Sequence, residues 1–304
     1  MAAFTTFSDS ALKRYLIMFG IGELRSWSAI ETGIENSNYF ITTEQHGVER
    51  EFVLTIMEDL SFDDIPFFNT VLRHLSHFGL PVPAPHQTLD GMTSTIFCGK
   101  PTLVLPKLEG DHLIETSTLH CSIIGKALAE IHVTLAPKNL DRDNPYNSDW
   151  MAKTIIDVQH LLETADLQLV NKIAAEYAEI SDLPLPKGII HGDLFRDNAL
   201  FKDDQLTGII DFYHACKDFF IQDVAITIND WCRSKDGLLD AARTAALIEG
   251  YETVRTLEDE EREFLPFFQR AASARFALTR LLSGEEGAHL KDPKELLRLA
   301  SSLS

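Results

Sequence analysis

Three polar side chains at fixed spacing stand out in the second half of the chain. Asp193 and Asn198 lie five residues apart in the stretch Gly-Ile-Ile-His-Gly-Asp-Leu-Phe-Arg-Asp-Asn-Ala-Leu-Phe at 188–201. Asp211 follows in the run Ile-Ile-Asp-Phe at 209–212. Apolar residues flank the polar stretch that holds Asp193 and Asn198, and they also precede Asp211. The pattern therefore predicts short strands joined by a polar turn, with the Asp211 carboxylate at the end of the last strand.

These three side chain types are those that phosphoryl transfer from ATP needs. One carboxylate orients the attacking hydroxyl and accepts its proton, while another carboxylate and an amide oxygen hold Mg²⁺ against the phosphates. We therefore assign the base to Asp193 and the metal ligands to Asn198 and Asp211. His191 is expected to brace the loop. The order His-Gly-Asp, Asn and Ile-Asp-Phe matches the catalytic loop of kinases, with Gly where protein kinases have Arg.

The elements that precede this loop are predicted to be mostly strands. Apolar alternation bounded by turn residues predicts strands, and apolar residues at helical spacing predict helices. The predicted elements are a helix over 9–19, a strand-turn-strand over 27–43, a strand over 51–57, a helix over 66–78 and two strands in 86–105. The Pro-Val-Pro-Ala-Pro run at 81–85 is expected to be extended.

The rest of the chain is predicted to be mostly helical. Helical spacing covers 117–135, 149–181 and 240–304, and the clear strand patterns lie in 188–213. Strands followed by helices favour an α+β fold with two lobes over a doubly wound sheet. We predict a small N-terminal nucleotide-binding lobe, 1–106, with an antiparallel sheet plus a helix. A larger, mainly helical lobe, 107–304, is predicted to carry catalysis and acceptor binding.

The composition excludes several classes of protein. The 304 residues are 45% hydrophobic, which is enough for one large core or two modest ones. A net charge of −19 disfavours nucleic acid and anionic lipid as partners and is compatible with a cationic or zwitterionic small molecule. The chain has no apolar run of membrane-spanning length and no signal-peptide pattern, so a cytoplasmic protein is expected. The four cysteines lack zinc or disulfide spacing.

At these residues the chain resembles the aminoglycoside-phosphotransferase and choline-kinase superfamily, whose fold is protein-kinase-like. Three stretches make it similar to the bacterial homoserine kinases within that superfamily: Glu-Asn-Ser-Asn-Tyr-Phe at 35–40, Asp-Phe-Tyr-His-Ala-Cys at 211–216 and Asn-Asp-Trp-Cys at 229–232. The resemblance spans almost the whole chain. It implies that ATP and L-homoserine give ADP and O-phospho-L-homoserine, a step in threonine biosynthesis.

One position departs from the general kinase pattern. The third strand of kinases carries a Lys that touches the phosphates, whereas this strand has Thr55. The loop at 33–38, with Mg²⁺, is therefore expected to neutralise the phosphates through backbone N–H groups and polar side chains. The resemblance places the nucleotide contacts at Gly33, Asn36, Ser37 and Asn38, and at the backbone of Leu105 and Lys107, which are expected to bind adenine.

A zwitterionic acceptor needs an oxygen for its ammonium group and an Arg for its carboxylate. Candidates for the acceptor site are Tyr213, Asp230, Trp231, Arg275 and Arg280. Two alternatives stay open for Asp223, which is either an acceptor contact or a buried brace of the loop. His132 ends an apolar helix pattern and is expected to be a packed core residue.

Other activities are compatible with the same pattern. The acceptor is alternatively choline or ethanolamine, methylthioribose, hydroxylysine or an aminoglycoside. A nucleotide-binding pseudokinase that acts as a regulator is the alternative from another class. The missing strand-three Lys favours it, and the intact set of Asp193, Asn198 and Asp211 disfavours it, because a binding module needs no base.

Overall fold

The structure, a computed structural model, describes residues 5–31, 36–180, 183–284 and 292–303. The chain divides into two compact units. The first is Met1–Gly110 with Thr207–Ile210, and the second is Asp111–Leu206 with Asp211–Ser304. The division predicted at 106/107 stays a prediction. The short segment Thr207–Ile210 belongs to the first unit, although it follows the catalytic loop in the sequence.

Five strands form the sheet of the first unit. They are β1 (Glu23–Ala29), β2 (Asn36–Gln45), β3 (Val48–Met57), β4 (Thr95–Phe97) and β5 (Lys100–Pro106). All pairs are antiparallel, in the order β1-β2-β3-β5-β4. The register pairs Tyr39 with Leu54 and Leu54 with Val104. Side chains alternate across a strand, so these three residues share one face.

Two helices accompany the sheet. They are α1 (Asp9–Leu16), which continues into a 3₁₀ turn at Ile17–Phe19, and α2 (Ile65–His77). Leu12 and Leu16 of α1 pack in one core cluster with the face that carries Tyr39, Leu54 and Val104. The Ser8 hydroxyl caps α1 by accepting from the Ala11 N–H at 3.2 Å. α2 buries the apolar residues whose helical spacing predicted it.

The second unit is mainly helical. Its helices are α3 (Thr118–Leu135), α4 (Ser148–Val158), α5 (Thr164–Glu179), α6 (Phe220–Trp231), α7 (Ala241–Glu252), α8 (Asp259–Leu282) and α9 (Pro293–Ser302). The strands in this part of the chain are β6 (Lys187–Ile190), β7 (Ala199–Lys202), β8 (Gln205–Ile209) and β9 (Cys216–Phe219), paired as β6-β9 and β7-β8. The end of β8, from Thr207 on, belongs to the first unit. The α+β class is confirmed. In the described part of the chain, no helix has the length and hydropathy to span a bilayer.

The structure differs from the sequence-based prediction at the start of β2. Asn36, Ser37 and Asn38 were predicted to lie in a turn, but they are the first residues of this strand. They pair with the end of β3, where the side chains of Asn36 and Ser37 bind Glu58. The ladder and the Glu58 contacts therefore outweigh the turn preference of Asn and Ser. The remainder of the predicted loop, residues 32–35 with Gly33, lies outside the described residues.

The two strands predicted in 86–105 are present as the hairpin of β4 and β5. Two further differences concern other elements. The region 149–181 is interrupted by a 3₁₀ turn at Gln159–Leu161, and a new helix begins at Thr164. β9 was missed because it is short and directly adjoins α6.

The helices α3 and α7 touch through their backbones. A Cβ atom on Gly125 would overlap the carbonyl oxygen of Leu247, and a Cβ atom on Gly250 would overlap that of Ser122. No residue with a side chain fits at either glycine without a shift of one helix. This close crossing brings α7 next to His132 of α3.

We expect Gly125→Ala to destabilise the protein by about 1–3 kcal/mol, because the added methyl group must push α3 and α7 apart. Chemical denaturation measures the change as a lower unfolding midpoint. Lys126→Ala is the matched control: Lys126 is exposed on the same helix, so its truncation should change the free energy of unfolding by less than about 0.5 kcal/mol. Equal midpoints for Gly125→Ala and the wild type would contradict the close crossing.

Candidate active site

The loops that carry Asp193 and Asp211 are packed against each other. β6 and β9 pair Ile190 with Cys216. Ile190 precedes the loop of Asp193 and Cys216 follows the loop of Asp211, so this pairing holds the two loops together. The His191 ring lies 4.4 Å from the Phe212 ring, centroid to centroid. His191 precedes Asp193 by two residues and Phe212 directly follows Asp211, so the ring contact links the two loops.

Gly192 makes a second contact between the same loops. Its φ of 78° lies in the left-handed region, where a side chain is strained, and a Cβ atom would lie 2.8 Å from the carbonyl oxygen of His214. Only glycine satisfies both conditions. The glycine between His191 and Asp193 is therefore required by the packing of the loop.

Asn198 fixes the side chain of Asp193. Its Nδ2 donates to the backbone oxygen of Asp193 at 2.8 Å and to the Oδ2 of Asp193 at 2.9 Å. A 3₁₀ turn at Arg196–Asn198 brings the side-chain amide of Asn198 to Asp193. Because both amide hydrogens point to Asp193, the Oδ1 of Asn198 is the atom of this group that remains to bind a ligand.

Asp211 stands where the chain leaves β8. Its backbone is left-handed, with φ 63° and ψ 59°, a conformation that Asp tolerates better than most residues. The described residues contain no group of three or more His, Cys, Asp or Glu side chains suited to a metal ion. A carboxylate and an amide oxygen do suit Mg²⁺, which takes one or two protein ligands and completes its shell with water and substrate phosphates.

Asp223 of α6 binds the backbone of the catalytic loop. Its carboxylate accepts from the N–H of His191 at 2.7 Å and from the N–H of Gly192 at 2.9 Å. It also binds the Nε2 of His132 on α3 at 3.0 Å. The side chain is fully buried, with 0% exposure. Of the two alternatives for Asp223, the structure therefore supports the buried brace.

The charge state of this pair follows from its surroundings. Burial by itself raises the pKa of Asp223, but the hydrogen bonds from His132 and from the Gly192 N–H outweigh it, so this pKa is lowered overall. Burial lowers the pKa of His132 more than Asp223 raises it. An ionised Asp223 thus accepts from a neutral His132, whose Nδ1 accepts from the Tyr251 hydroxyl at 2.8 Å. Arg255 donates to Tyr251 at 3.2 Å and to Glu261 at 2.8 Å.

Three predicted acceptor residues instead support the loop backbone. Arg275 donates to the carbonyl oxygen of Gly192 at 2.7 Å, and its guanidinium stacks on the ring of Tyr146 at 3.9 Å. Trp231 donates through Nε1 to the carbonyl oxygen of Leu194 at 3.0 Å. A buried turn must satisfy its backbone polar groups, and these side chains do so.

Asp230 has the same supporting role. Its Oδ2 accepts from the backbone N–H of Arg196 at 2.8 Å and from the Nε of Arg196 at 3.1 Å. Asp230, Trp231 and Arg275 are all buried. Their contact with an acceptor stays a prediction. Tyr213 lies in the 3₁₀ turn Phe212–His214, next to Asp211, and is partly exposed. Arg280 lines a small pocket beside the loop.

In the first unit, a row of apolar side chains crosses three strands of the sheet and is a candidate surface for a nucleotide base. Phe40, Val53 and Leu105 are cross-strand neighbours on the sheet face opposite the α1 core, and Phe40 is 37% exposed. The backbone N–H of Lys107, predicted to bind adenine, instead donates to the carbonyl oxygen of Glu51 at 3.2 Å. That N–H is therefore used within the sheet. Thr55 pairs with Asn38 on the same face and is buried.

Comparison with known proteins decides the family. The sequence profile of the phosphotransferase enzyme family APH matches residues 26–257. The chain belongs to this family. Among curated relatives, a homoserine kinase of Neisseria meningitidis serogroup B is 36% identical over 308 residues, covering 100% of both chains. A homoserine kinase of Pseudomonas aeruginosa is 38% identical over 307 residues, covering 99% of this chain and 96% of the relative.

Solved structures with low sequence identity to this chain share its fold. The amicoumacin kinase hAmiN, in complex with AMP-PNP, Ca²⁺ and Ami, has a TM-score of 0.77 at 15% identity, covering 98% of this chain and 93% of the other. Spectinomycin phosphotransferase APH(9)-Ia, in complex with ADP and spectinomycin, has a TM-score of 0.71 at 14% identity, covering 98% and 99%. The protein-kinase-like fold expected from the sequence is confirmed.

We expect His132→Gln to flatten the pH dependence of stability. The pKa of His132 is lowered in the folded protein, whereas in the unfolded chain it returns to about 6.5. Below that pH the unfolded state binds the extra proton, so the free energy of unfolding falls with falling pH, by up to about 1.4 kcal/mol per unit for one group. Gln still offers an N–H to Asp223 but does not titrate.

Urea unfolding between about pH 6.5 and 5 measures this slope, in a range where carboxylates contribute little. The exposed His77→Gln serves as the control and should keep the slope of the wild type. A His132→Gln variant with an unchanged slope would show that this histidine is not held neutral.

Proposed function

We propose that the protein transfers the γ-phosphoryl group of ATP to the hydroxyl of L-homoserine, giving ADP and O-phospho-L-homoserine. The observation that carries the proposal is the similarity over the whole chain to relatives named homoserine kinase, at 36% and 38% identity. The arrangement of Asp193 and Asn198 supports the reaction type. The product would feed threonine biosynthesis, as the resemblance of the sequence implies.

Asp193 acts as the base. Its carboxylate orients the homoserine hydroxyl and accepts the proton, while the hydroxyl oxygen forms a bond to the γ-phosphorus and the bond from that phosphorus to the β–γ bridging oxygen breaks. Asn198 restricts the rotation of this carboxylate through its bond to Oδ2. Because the carboxylate is already held in one orientation, less conformational entropy is lost when it is ordered in the transition state.

Asn198 and Asp211 are the proposed Mg²⁺ ligands. When bound, Mg²⁺ neutralises charge on the phosphates of ATP. The Oδ1 of Asn198 fits this role because the amide nitrogen is already bound to Asp193. The same amide thus orients the base with one atom and offers a ligand with the other.

The nucleotide is proposed to lie on the open face of the first unit's sheet. The row of Phe40, Val53 and Leu105 gives the adenine ring an apolar surface. Asn36 and Ser37 are engaged by Glu58, so Asn38, beside Thr55, is the better candidate of the three for a phosphate contact.

Coupled assays of ADP release test the reaction and its base together. The wild type should prefer L-homoserine over choline, ethanolamine, methylthioribose, hydroxylysine and an aminoglycoside. Asp193→Asn should lower kcat by about 10²–10⁴-fold, because the base is lost, while Mg·ATP binding measured by calorimetry is retained.

Asp203→Asn is the matched control, since Asp203 is exposed, lies outside the site, and its positive φ of 51° suits Asn. It should keep the wild-type kcat. A wild-type preference for choline or an aminoglycoside would refute the homoserine assignment, and full turnover by Asp193→Asn would refute the base.

Asp211→Asn tests the metal ligand through binding. The change is isosteric and tolerates the left-handed backbone, so the fold should be preserved. We expect ATP to bind the wild type more tightly with Mg²⁺ than with a chelator, and this difference to shrink about tenfold or more in the variant. Calorimetric titrations with and without Mg²⁺ measure it. An undiminished Mg²⁺ effect in Asp211→Asn would place the metal elsewhere.

A further inference from the structure

One aromatic side chain in the second unit lies next to both loops of the candidate active site. Tyr146 precedes α4 and is half-buried. Its ring centre lies 3.9 Å from the guanidinium carbon of Arg275, which binds the carbonyl oxygen of Gly192. It also lies 5.5 Å from the ring centre of His214, three residues after Asp211. No role in catalysis or ligand binding assigned above uses Tyr146.

The hydrogen bonds of Arg275 do not by themselves fix its guanidinium. Of the residues that the structure describes, Gly192 alone accepts a hydrogen bond from this group, and the Nε is buried without an acceptor. The side chain is 4% exposed, and a buried charge is costly unless neighbouring groups stabilise it. Two aromatic rings lie against it, Tyr146 at 3.9 Å and Phe276 at 4.3 Å. A cation over an aromatic face is stabilised most where water is excluded.

The backbone around Tyr146 is tied to β9. The carbonyl oxygen of Arg142 accepts from the N–H of Lys217 at 2.8 Å. The Nδ2 of Asn144 donates to the Oδ2 of Asp218 at 2.5 Å, and its Oδ1 accepts from the N–H of Tyr146 at 2.7 Å. These bonds hold the segment on the strand that follows the Asp211 loop. The ring of Tyr146 is therefore brought to Arg275 by a fixed backbone.

We propose that Tyr146 is a positioning residue for phosphoryl transfer: its ring holds the Arg275 guanidinium against the Gly192 carbonyl oxygen and so orients the peptide that presents Asp193. This inference rests on the proposed function, because it concerns the residue proposed as the base. Asp223 binds the N–H of Gly192, and Arg275 binds its carbonyl oxygen. Glycine at a φ of 78° has little steric restraint of its own, so these two contacts keep the peptide in place.

The kinetic constants separate this role from a direct contact with the acceptor. A tyrosine that touches the acceptor contributes to its binding, so truncation raises KM. A tyrosine that acts through Arg275 affects the step in which Asp193 takes part, so truncation lowers kcat and leaves KM unchanged.

Steady-state kinetics of Tyr146→Leu and Tyr146→Phe test the proposal. Leu is apolar but has no aromatic face for the guanidinium, so kcat should fall about 5- to 30-fold while KM for homoserine and for ATP stays within about twofold. Tyr146→Phe keeps the ring and should keep kcat within about twofold. Arg275→Met removes the guanidinium, so adding Tyr146→Leu to it should lower kcat no further.

Phe267→Leu is the matched control. Phe267 is a buried ring on α8 that lies 5.5 Å from Arg270, and the hydrogen bonds of Arg270 go to Leu303 and Glu176. The variant should lower the unfolding midpoint, because a buried ring is truncated, and should keep the wild-type kcat.

Amide hydrogen exchange over residues 191–195 is a second readout, which needs no acceptor. It should be faster in Tyr146→Leu than in the wild type and unchanged in Tyr146→Phe, also where Arg275→Met does not fold. Wild-type kcat in Tyr146→Leu would overturn the proposal, as would a raised KM in place of the lower kcat, or losses that multiply in the double variant. A wild type that phosphorylates another acceptor and not homoserine would refute the proposed function, and the same variants assayed with that acceptor then decide the role of Tyr146.

Discussion

The buried carboxylate of Asp223 is the constraint on which the rest of the site depends. It accepts hydrogen bonds from the N–H groups of His191 and Gly192, the two residues directly before Asp193. An isolated anion at 0% exposure would be very unstable, but three hydrogen bonds compensate it and keep its pKa low. The strength of these bonds fixes the backbone at the position where Asp193 must be presented.

The helices of the second unit act as a frame for this loop. Asp223, Asp230 and Trp231 come from α6, His132 from α3, and Arg275 from α8. Each of them satisfies a backbone group of the loop or another member of this set. This explains why α6 is buried at every residue and still carries polar side chains. A framework of this kind holds the loop of Asp193 in one conformation, as the proposed role of Asp193 as the base requires.

The predicted site residues form a local sequence pattern, whereas the side chains that hold their loops are distant in the chain. The spacing of Asp193, Asn198 and Asp211 is a local pattern, and helical periodicity predicted α3 within one residue. Partners distant in the chain leave no such pattern: Asp223 binds His132 across 91 residues, and Arg275 binds Gly192 across 83. A charge in an apolar helix indicates only that a partner is needed. The bond of Arg275, a predicted substrate ligand, to the Gly192 carbonyl oxygen is not visible in the sequence. The residue types at Asn36 to Asn38 predicted a turn, but the hydrogen bonds with β3 hold these residues in a strand.

One amide and two carboxylates have separate proposed tasks: Asp193 would take the proton of the acceptor, and Asn198 with Asp211 would hold the metal. A crystal structure of the protein with L-homoserine, Mg²⁺ and a non-hydrolysable ATP analogue tests this most directly. The account predicts the homoserine hydroxyl within about 3.2 Å of the Asp193 carboxylate, pointing to the γ-phosphate. A hydroxyl that faces away from Asp193, or a metal ion bound without Asn198 and Asp211, would contradict it.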